Sequence, residues 1–256
     1  MDKEHSRSTR AGIIDALQDY QCLTDEQLAS VTDRRKATVR KQIACLAEEG
    51  LVRRVSHPRR SRGRPVAVTS LPDSGWDRSH SREHQVQLND IRIAFGHTPD
   101  TRFLIRTWDT QRVAIDNEAK DMVRPDAIAL IEHEQATRPL VVFIELDRGT
   151  ESFSRSNSSQ SSWAAKAGRY QKLEHLVLWR DWVLGQVGLS TEAVCRLAVV
   201  TTTAARLARI DDTLQQTVPA VGVWLTRYND VIKNGAWGKI WRCSEETGQR
   251  GFISVS

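Results

Sequence analysis

The sequence predicts an α/β (α+β) chain of two domains: a small module of three helices and a basic two-stranded hairpin, then a mixed sheet flanked by helices. Three observations predict it. Before Gly50 apolar residues recur three times at helical spacing, and two short β-branched runs then enclose an arginine-rich loop. Two further runs, 126–130 and 141–147, are strand-like and joined by a short polar segment. Beyond them strand, helix and strand patterns alternate, as in a sheet covered by helices. The expected boundaries are a first domain over 1–72, a linker over 73–81 and a second domain over 82–256.

With 256 residues, each domain can bury its own core. The chain is 39% hydrophobic and 27% charged, which suits a soluble globular protein, and no apolar run approaches a membrane span. The polar, charged start carries no signal peptide, so the expected setting is the cytoplasm. The four cysteines are far apart and form no C-x-x-C pair, which favours buried thiols over a zinc site or disulfides. The net charge of +5 is unevenly spread: eleven basic residues against three acidic ones lie between Asp33 and Arg64, leaving a slightly acidic remainder. A local basic segment points to a polyanion-binding module.

The first helix is expected from Arg10 to Tyr20, with Ile13, Ile14 and Leu17 inward. Thr24 and Gln27 form a capping-box pattern that starts the second, flanked by Leu23 and Leu28 as a hydrophobic staple. Asp33 is the expected N-cap of the third, in which Val39, Ile43 and Leu46 face inward and Gly50 supplies the stop. Its outer side carries Arg35, Lys36, Thr38, Arg40 and Lys41. A strand over 51–55, a loop over 57–64 and a returning strand over 65–69 complete the module. This order resembles the winged helix-turn-helix fold. The resemblance implies that the third helix enters the major groove of double-stranded DNA, with Arg53, Arg59, Arg60, Arg62 and Arg64 of the wing along the backbone or minor groove. A merely solvated basic face is the competing reading, but phosphates most readily relieve so much like charge.

After the linker, a helix is expected over 82–95, with His84, Leu88, Ile91 and Phe95 on one face. His84 reads as a packed core residue, and Glu83 is an alternative functional acid. Strand material follows at 103–105 and 113–115. The runs Asp126-Ala127-Ile128-Ala129-Leu130 and Val141-Val142-Phe143-Ile144-Glu145-Leu146-Asp147 should pair antiparallel, because only a hairpin-length segment joins them. Alternation puts Glu145 and Asp147 on one face, and pairing can bring Asp126 beside them. Three carboxylates so placed repel unless protonated, solvated or bridged by a cation, and hard oxygen ligands favour Mg²⁺ or Mn²⁺. A structural reading, with Asp126 ending a strand and Lys166 lying over apolar surface, competes with this one. Against it stands Ile144-Glu145-Leu146, because an acid within an apolar run is costly unless compensated.

The spacing resembles the PD-(D/E)xK nuclease superfamily, which implies Asp126 and Glu145 as metal ligands and catalytic acids; Asp147, on the same strand face as Glu145, is the third acid expected at the metal and in catalysis. The Lys expected two residues after Glu145 is Asp147 here. A helix is expected over 163–184, where Lys166, Tyr170, Leu173 and Val177 share a face and Lys172 points away. Lys166 with Tyr170 also resembles the Q-xxx-Y motif of RecB-like members, so Lys166 is the expected stand-in for the catalytic lysine. The Ser-rich segment 149–162 before it is expected to be a flexible connection, or else a lid. A buried strand over 196–201, a helix over 204–214 and a strand over 220–225 follow. A final strand over 236–242 is expected to set Trp237 and Trp241 on one side as core or edge cover.

Taken together, Leu88-Asn89-Asp90, Arg124-Pro125-Asp126-Ala127, the run from Phe143 to Glu151, Lys166 and Tyr170 resemble the plasmid replication-relaxation family. That resemblance implies a DNA-binding accessory in the replication, mobilisation or relaxation of mobile elements. One expected function is a double-stranded DNA-binding protein whose nuclease-like domain nicks or cuts with Mg²⁺. The other is a non-catalytic regulator or relaxosome accessory, its second domain a pseudo-nuclease that dimerises or recruits a relaxase. A small-molecule-sensing repressor would leave Glu145 unexplained.

Overall fold

The computed structural model describes residues 2–57, 66–74, 79–97, 102–110, 125–134, 136–149, 162–172, 193–217, 222–243 and 249–250. They divide into two compact units, Met1–Ile93 and Ala94–Ser256.

In the first unit α1 (Asp2–Tyr20) leads through β1 (Cys22–Thr24) into α2 (Asp25–Val31) and α3 (Lys36–Glu48). Strands β2 (Arg53–His57) and β3 (Val66–Ser70) then form an antiparallel hairpin, and β1 pairs with β3 to give the order β1-β3-β2. Strand β1 is too short for a periodic signal, so only its partner defines it. Helix α2 starts on the expected box: Thr24 Oγ1 accepts from Gln27 N at 3.2 Å, and Thr24 N donates to Gln27 Oε1 at 2.9 Å. Helix α3 departs from expectation at its start. Its N-cap is Arg35, whereas Asp33 takes a left-handed φ of 50° in the preceding turn, a conformation Asp tolerates. Gly50 ends the helix with φ 73°, as a C-terminal glycine does. Ile13, Leu17, Leu23, Leu28, Val39, Ile43 and Leu46 form the core.

Helix α4 (Ser79–Gly96) was expected to open the second domain, yet most of it belongs to the first unit. Buried and part-buried polar bonds hold it there. Asn89 Nδ2 donates to the carbonyls of Tyr20 and Cys22, and Gln27 Nε2 donates to Asp90 Oδ1 at 2.7 Å. Sequence periodicity shows that a helix is amphipathic but not which core receives its apolar face.

The second unit is a seven-stranded sheet in the order β10-β9-β8-β7-β6-β5-β4. Its strands are β4 (Phe103–Asp109), β5 (Ala127–His133), β6 (Leu140–Asp147), β7 (Val194–Thr201), β8 (Gly222–Arg227), β9 (Trp241–Cys243) and β10 (Gln249–Arg250). The hairpin β5–β6 is antiparallel, while β6–β7 and β7–β8 are parallel, so the sheet is mixed. Among the described residues three helices accompany it: α5 (Trp163–Lys172), α6 (Ala204–Thr217) and α7 (Tyr228–Asn234). One face presents Ile128, Leu130, Val141, Phe143, Leu197, Val199, Val223 and Leu225 to Trp163, Ala167 and Tyr170 of α5 and to Ile210 and Leu214 of α6.

Phe95, Trp237 and Trp241 pack together, with Trp237 stacked on Phe103 at 4.3 Å. Trp241 is buried and Trp237 half-buried, in keeping with core and edge cover, but the strand expected over 236–242 is shorter than the pattern suggested. Residues 236–240 form turns, and pairing begins at Trp241. The expected strand over 113–115, the Ser-rich stretch 150–161 and the end of the 163–184 helix lie outside the described residues. Cys195 is half-buried, and its desolvation pushes the thiol up to about 12, which makes it unreactive. No helix among the described residues is long and apolar enough to cross a membrane.

Candidate active site

The β5–β6 register places Asp126 next to Glu145. Ala127 lies opposite Ile144, and the backbone bond from Asp126 N to Ile144 O at 2.9 Å extends the ladder by one step. The Asp126 carboxylate is held there, since its Oδ2 accepts from Leu146 N at 2.7 Å. Glu145 shares the face of Val141 and Phe143, under α5, and is only 1% exposed.

Burial would strongly disfavour a charge there, and α5 supplies the compensation. Lys166 Nζ donates to Glu145 Oε2 and Tyr170 OH to Glu145 Oε1, both at 2.7 Å. Lys166 and Tyr170 stand one helical turn apart, so a single face of α5 delivers both donors to one carboxylate. The expectation that Lys166, from a helix, stands beside the central acid agrees with this geometry. The side chain of Lys172 lies outside the described residues.

Compensation is incomplete. Burial raises the Glu145 carboxyl from its ordinary 4.5 to about 7, Lys166 and Tyr170 pull it down, and the negative charge of Asp126 pushes it up. The Tyr170 phenol is itself driven well above its ordinary range, first by burial and then by Glu145, so it stays a donor.

Asp147 has a different environment. It is 2% exposed, and the parallel register sets it opposite Thr201, whose Oγ1 donates to Asp147 Oδ2 at 3.0 Å. Arg206 of α6 forks onto it, with Nη2 donating to Oδ1 at 2.7 Å and Nε to Oδ2. The expected gathering of Asp126, Glu145 and Asp147 is therefore not what the described residues present: no group of three or more His, Cys, Asp or Glu among them is placed to hold a metal ion. Alternation along β6 did put Glu145 and Asp147 on one face, but α6 arrives over the second of them with an arginine. Arg206 and Thr201 drew no attention in the sequence. Their only trace is a Thr closing a strand and an Arg in the first turn of the next helix.

In the first unit Arg35, Thr38, Arg40 and Lys41 of the α3 segment are exposed, as is Arg53 on β2. Lys36 is half-buried and pairs with Glu26. Arg40 and Arg54 both reach Asp25, which is buried and which the sequence reading passed over. Arg59, Arg60, Arg62 and Arg64 lie outside the described residues.

Fold and site together define a two-unit α+β protein whose larger unit carries an acid–lysine–tyrosine cluster on a mixed sheet, under one helix. The chain belongs to the Replication-relaxation family, whose model matches residues 14–181. Membership gives it a DNA-related role in replication or mobilisation. Among solved structures, the restriction endonuclease FokI aligns over 92% of this chain and 44% of its own, at 13% identity and a TM-score of 0.34. The same enzyme bound to DNA aligns over 92% and 45%, at 13% identity and a TM-score of 0.31. This chain thus spans less than half the length of that enzyme. No curated protein matches the sequence.

Proposed function

We infer that this protein is a double-stranded DNA-binding accessory of mobile-element replication or mobilisation, with a winged-helix N-terminal unit that holds the duplex. Its C-terminal unit carries a nuclease-type site at Asp126, Glu145 and Lys166, in a cytoplasmic setting. The observation that carries the second statement is the cluster itself: two acids on neighbouring strands, with a lysine 2.7 Å from one of them.

Mg²⁺ or Mn²⁺ suits part of this site. Asp126 and Glu145 offer adjacent hard oxygen donors whose repulsion a cation would relieve. Asp147 does not suit it, because each of its oxygens already accepts two bonds, from Arg206 and Thr201 on one and from Arg206 and Gly149 on the other, whereas among the described residues each Glu145 oxygen accepts one. When bound, the metal lowers the pKa of a water and steadies charge on a scissile phosphate. The residues do the positioning: Leu146 N fixes Asp126, Tyr170 orients Glu145, and Lys166 balances its charge until phosphate arrives.

Supercoiled plasmid incubated with the protein and Mg²⁺ is expected to be nicked or linearised, and an Asp126→Ala/Glu145→Ala variant to leave it intact. If wild type leaves the plasmid equally intact, cleavage is excluded and a second reading takes over. In that reading the unit is a pseudo-nuclease serving dimerisation or recruitment of a relaxase. Its support is the Asp147–Arg206 pair, which replaces a catalytic lysine position by a structural one.

Duplex binding is tested apart from cleavage. Lys41→Ala, at an exposed position on α3, is expected to lower the slope of log affinity against log salt by about one unit, the loss of one phosphate contact. An unchanged slope would remove α3 as the DNA-facing helix.

A further inference from the structure

We propose that Asp25 is a positioning residue of the DNA-binding face, holding Arg40 of α3 and Arg54 of β2 so that both grip the same stretch of backbone phosphate. The proposal rests on the winged-helix reading above and adds the device that orients its arginines.

Asp25 opens α2 and is 3% exposed, an unusual degree of burial for an acid in a mostly basic neighbourhood. Its carboxylate accepts from two elements at once. Arg40 Nε lies 2.7 Å from Oδ2, and Arg54 Nη2 lies 2.9 Å from Oδ1 and 2.8 Å from Oδ2. The arginines remain more accessible than their partner, with side chains 55% and 35% exposed against 4% for Asp25. A guanidinium has five N–H donors. Arg40 contacts Asp25 through Nε alone and Arg54 through Nη2 alone, so each keeps donors for a second acceptor.

The carboxylate thus works from beneath. It links the helix expected to read the duplex to the first strand of the wing hairpin, and it fixes two long side chains that otherwise sample many rotamers. One acid cannot cancel two arginines, so the pair still presents positive charge.

Charge and position predict opposite signs, which makes the proposal testable. Were Asp25 only a negative charge near DNA, removing it would tighten binding. As a positioning residue, its loss weakens binding. With the full chain and a mixed-sequence duplex, Asp25→Asn is expected to bind roughly tenfold more weakly near 0.1 M salt, with a slope shallower by about one unit, as when a phosphate contact is lost. Placed on an Arg40→Ala/Arg54→Ala background, the same change is expected to add no further loss. Tighter or unchanged binding by Asp25→Asn overturns the proposal, as does an equal loss on the double-alanine background.

Arg54→Lys supplies an independent arm should Asp25→Asn fail to fold. It keeps the charge but not the fork, and is expected to bind several-fold more weakly with an unchanged melting temperature. Binding equal to wild type would also overturn the proposal. If wild type shows no salt-dependent duplex binding, the winged-helix reading fails and takes this inference with it. Wild-type binding together with unimpaired Asp25→Asn removes the positioning role alone.

Discussion

Arg206→Met is expected to destabilise the C-terminal unit by about 3–5 kcal/mol, the cost of stripping a buried charge of its partner. The Asp147 side chain is 0% exposed, and that of Arg206 is 14% exposed. Their contact is a two-pronged fork, the geometry in which a guanidinium binds carboxylate best. Without Arg206 the carboxylate keeps Thr201 Oγ1 at 3.0 Å and Gly149 N at 3.4 Å, neutral donors that cannot balance a full charge in an apolar layer. Replacing both partners, Asp147→Val with Arg206→Met, is expected to recover most of the loss, since an apolar pair of similar volume often substitutes for a buried ion pair. Urea unfolding of the two variants decides the matter. If Arg206→Met unfolds at the wild-type midpoint, Asp147 is not held as a structural residue, and its place among the functional acids reopens.

A pH dependence is the second large effect. The Glu145 carboxyl is raised from 4.5 to about 7, first by burial. Between those values the folded chain holds a proton that the unfolded chain has released, so stability falls as pH rises through that window. The penalty is absent below about pH 4.5 and complete above about pH 7, and amounts to something on the order of 3 kcal/mol. Glu145→Gln carries no titrating group. The difference in unfolding free energy between wild type and this variant should therefore slope across the window and flatten on either side. Asp211 is also raised by burial and has the same sign in both proteins, so the difference cancels it. A flat difference from pH 5 to 7 would mean that Lys166 and Tyr170 compensate the buried charge fully. Bound Mg²⁺ should shrink the slope, because a cation beside Glu145 favours its charged form.

Much of this was legible in the chain itself. The Thr24–Gln27 box, the Gly50 stop and the β5–β6 hairpin come from short-range chemistry: a hydroxyl facing a backbone N–H, a residue free to take positive φ, a loop long enough only to reverse direction. The cluster was partly legible for a related reason. Alternation along β6 fixes which face Glu145 occupies, and one helical turn from Lys166 to Tyr170 fixes that they point together. Asp33 misled because Asp serves both as a helix cap and as a left-handed turn residue, and the local sequence does not separate the two.

By itself the sequence determined the order of elements, the faces of each strand and helix, and the acids and cations available to a site. Only the tertiary structure decided how those charges were paired: Glu145 with Lys166 and Tyr170, Asp147 with Arg206, and Asp25 with Arg40 and Arg54. The reason is physical. Periodicity acts over a few residues, whereas the partner of a buried charge is whichever donor the packing of distant elements brings within about 3 Å. Burial makes that choice binding, because a charge taken out of water must find a partner or be neutralised.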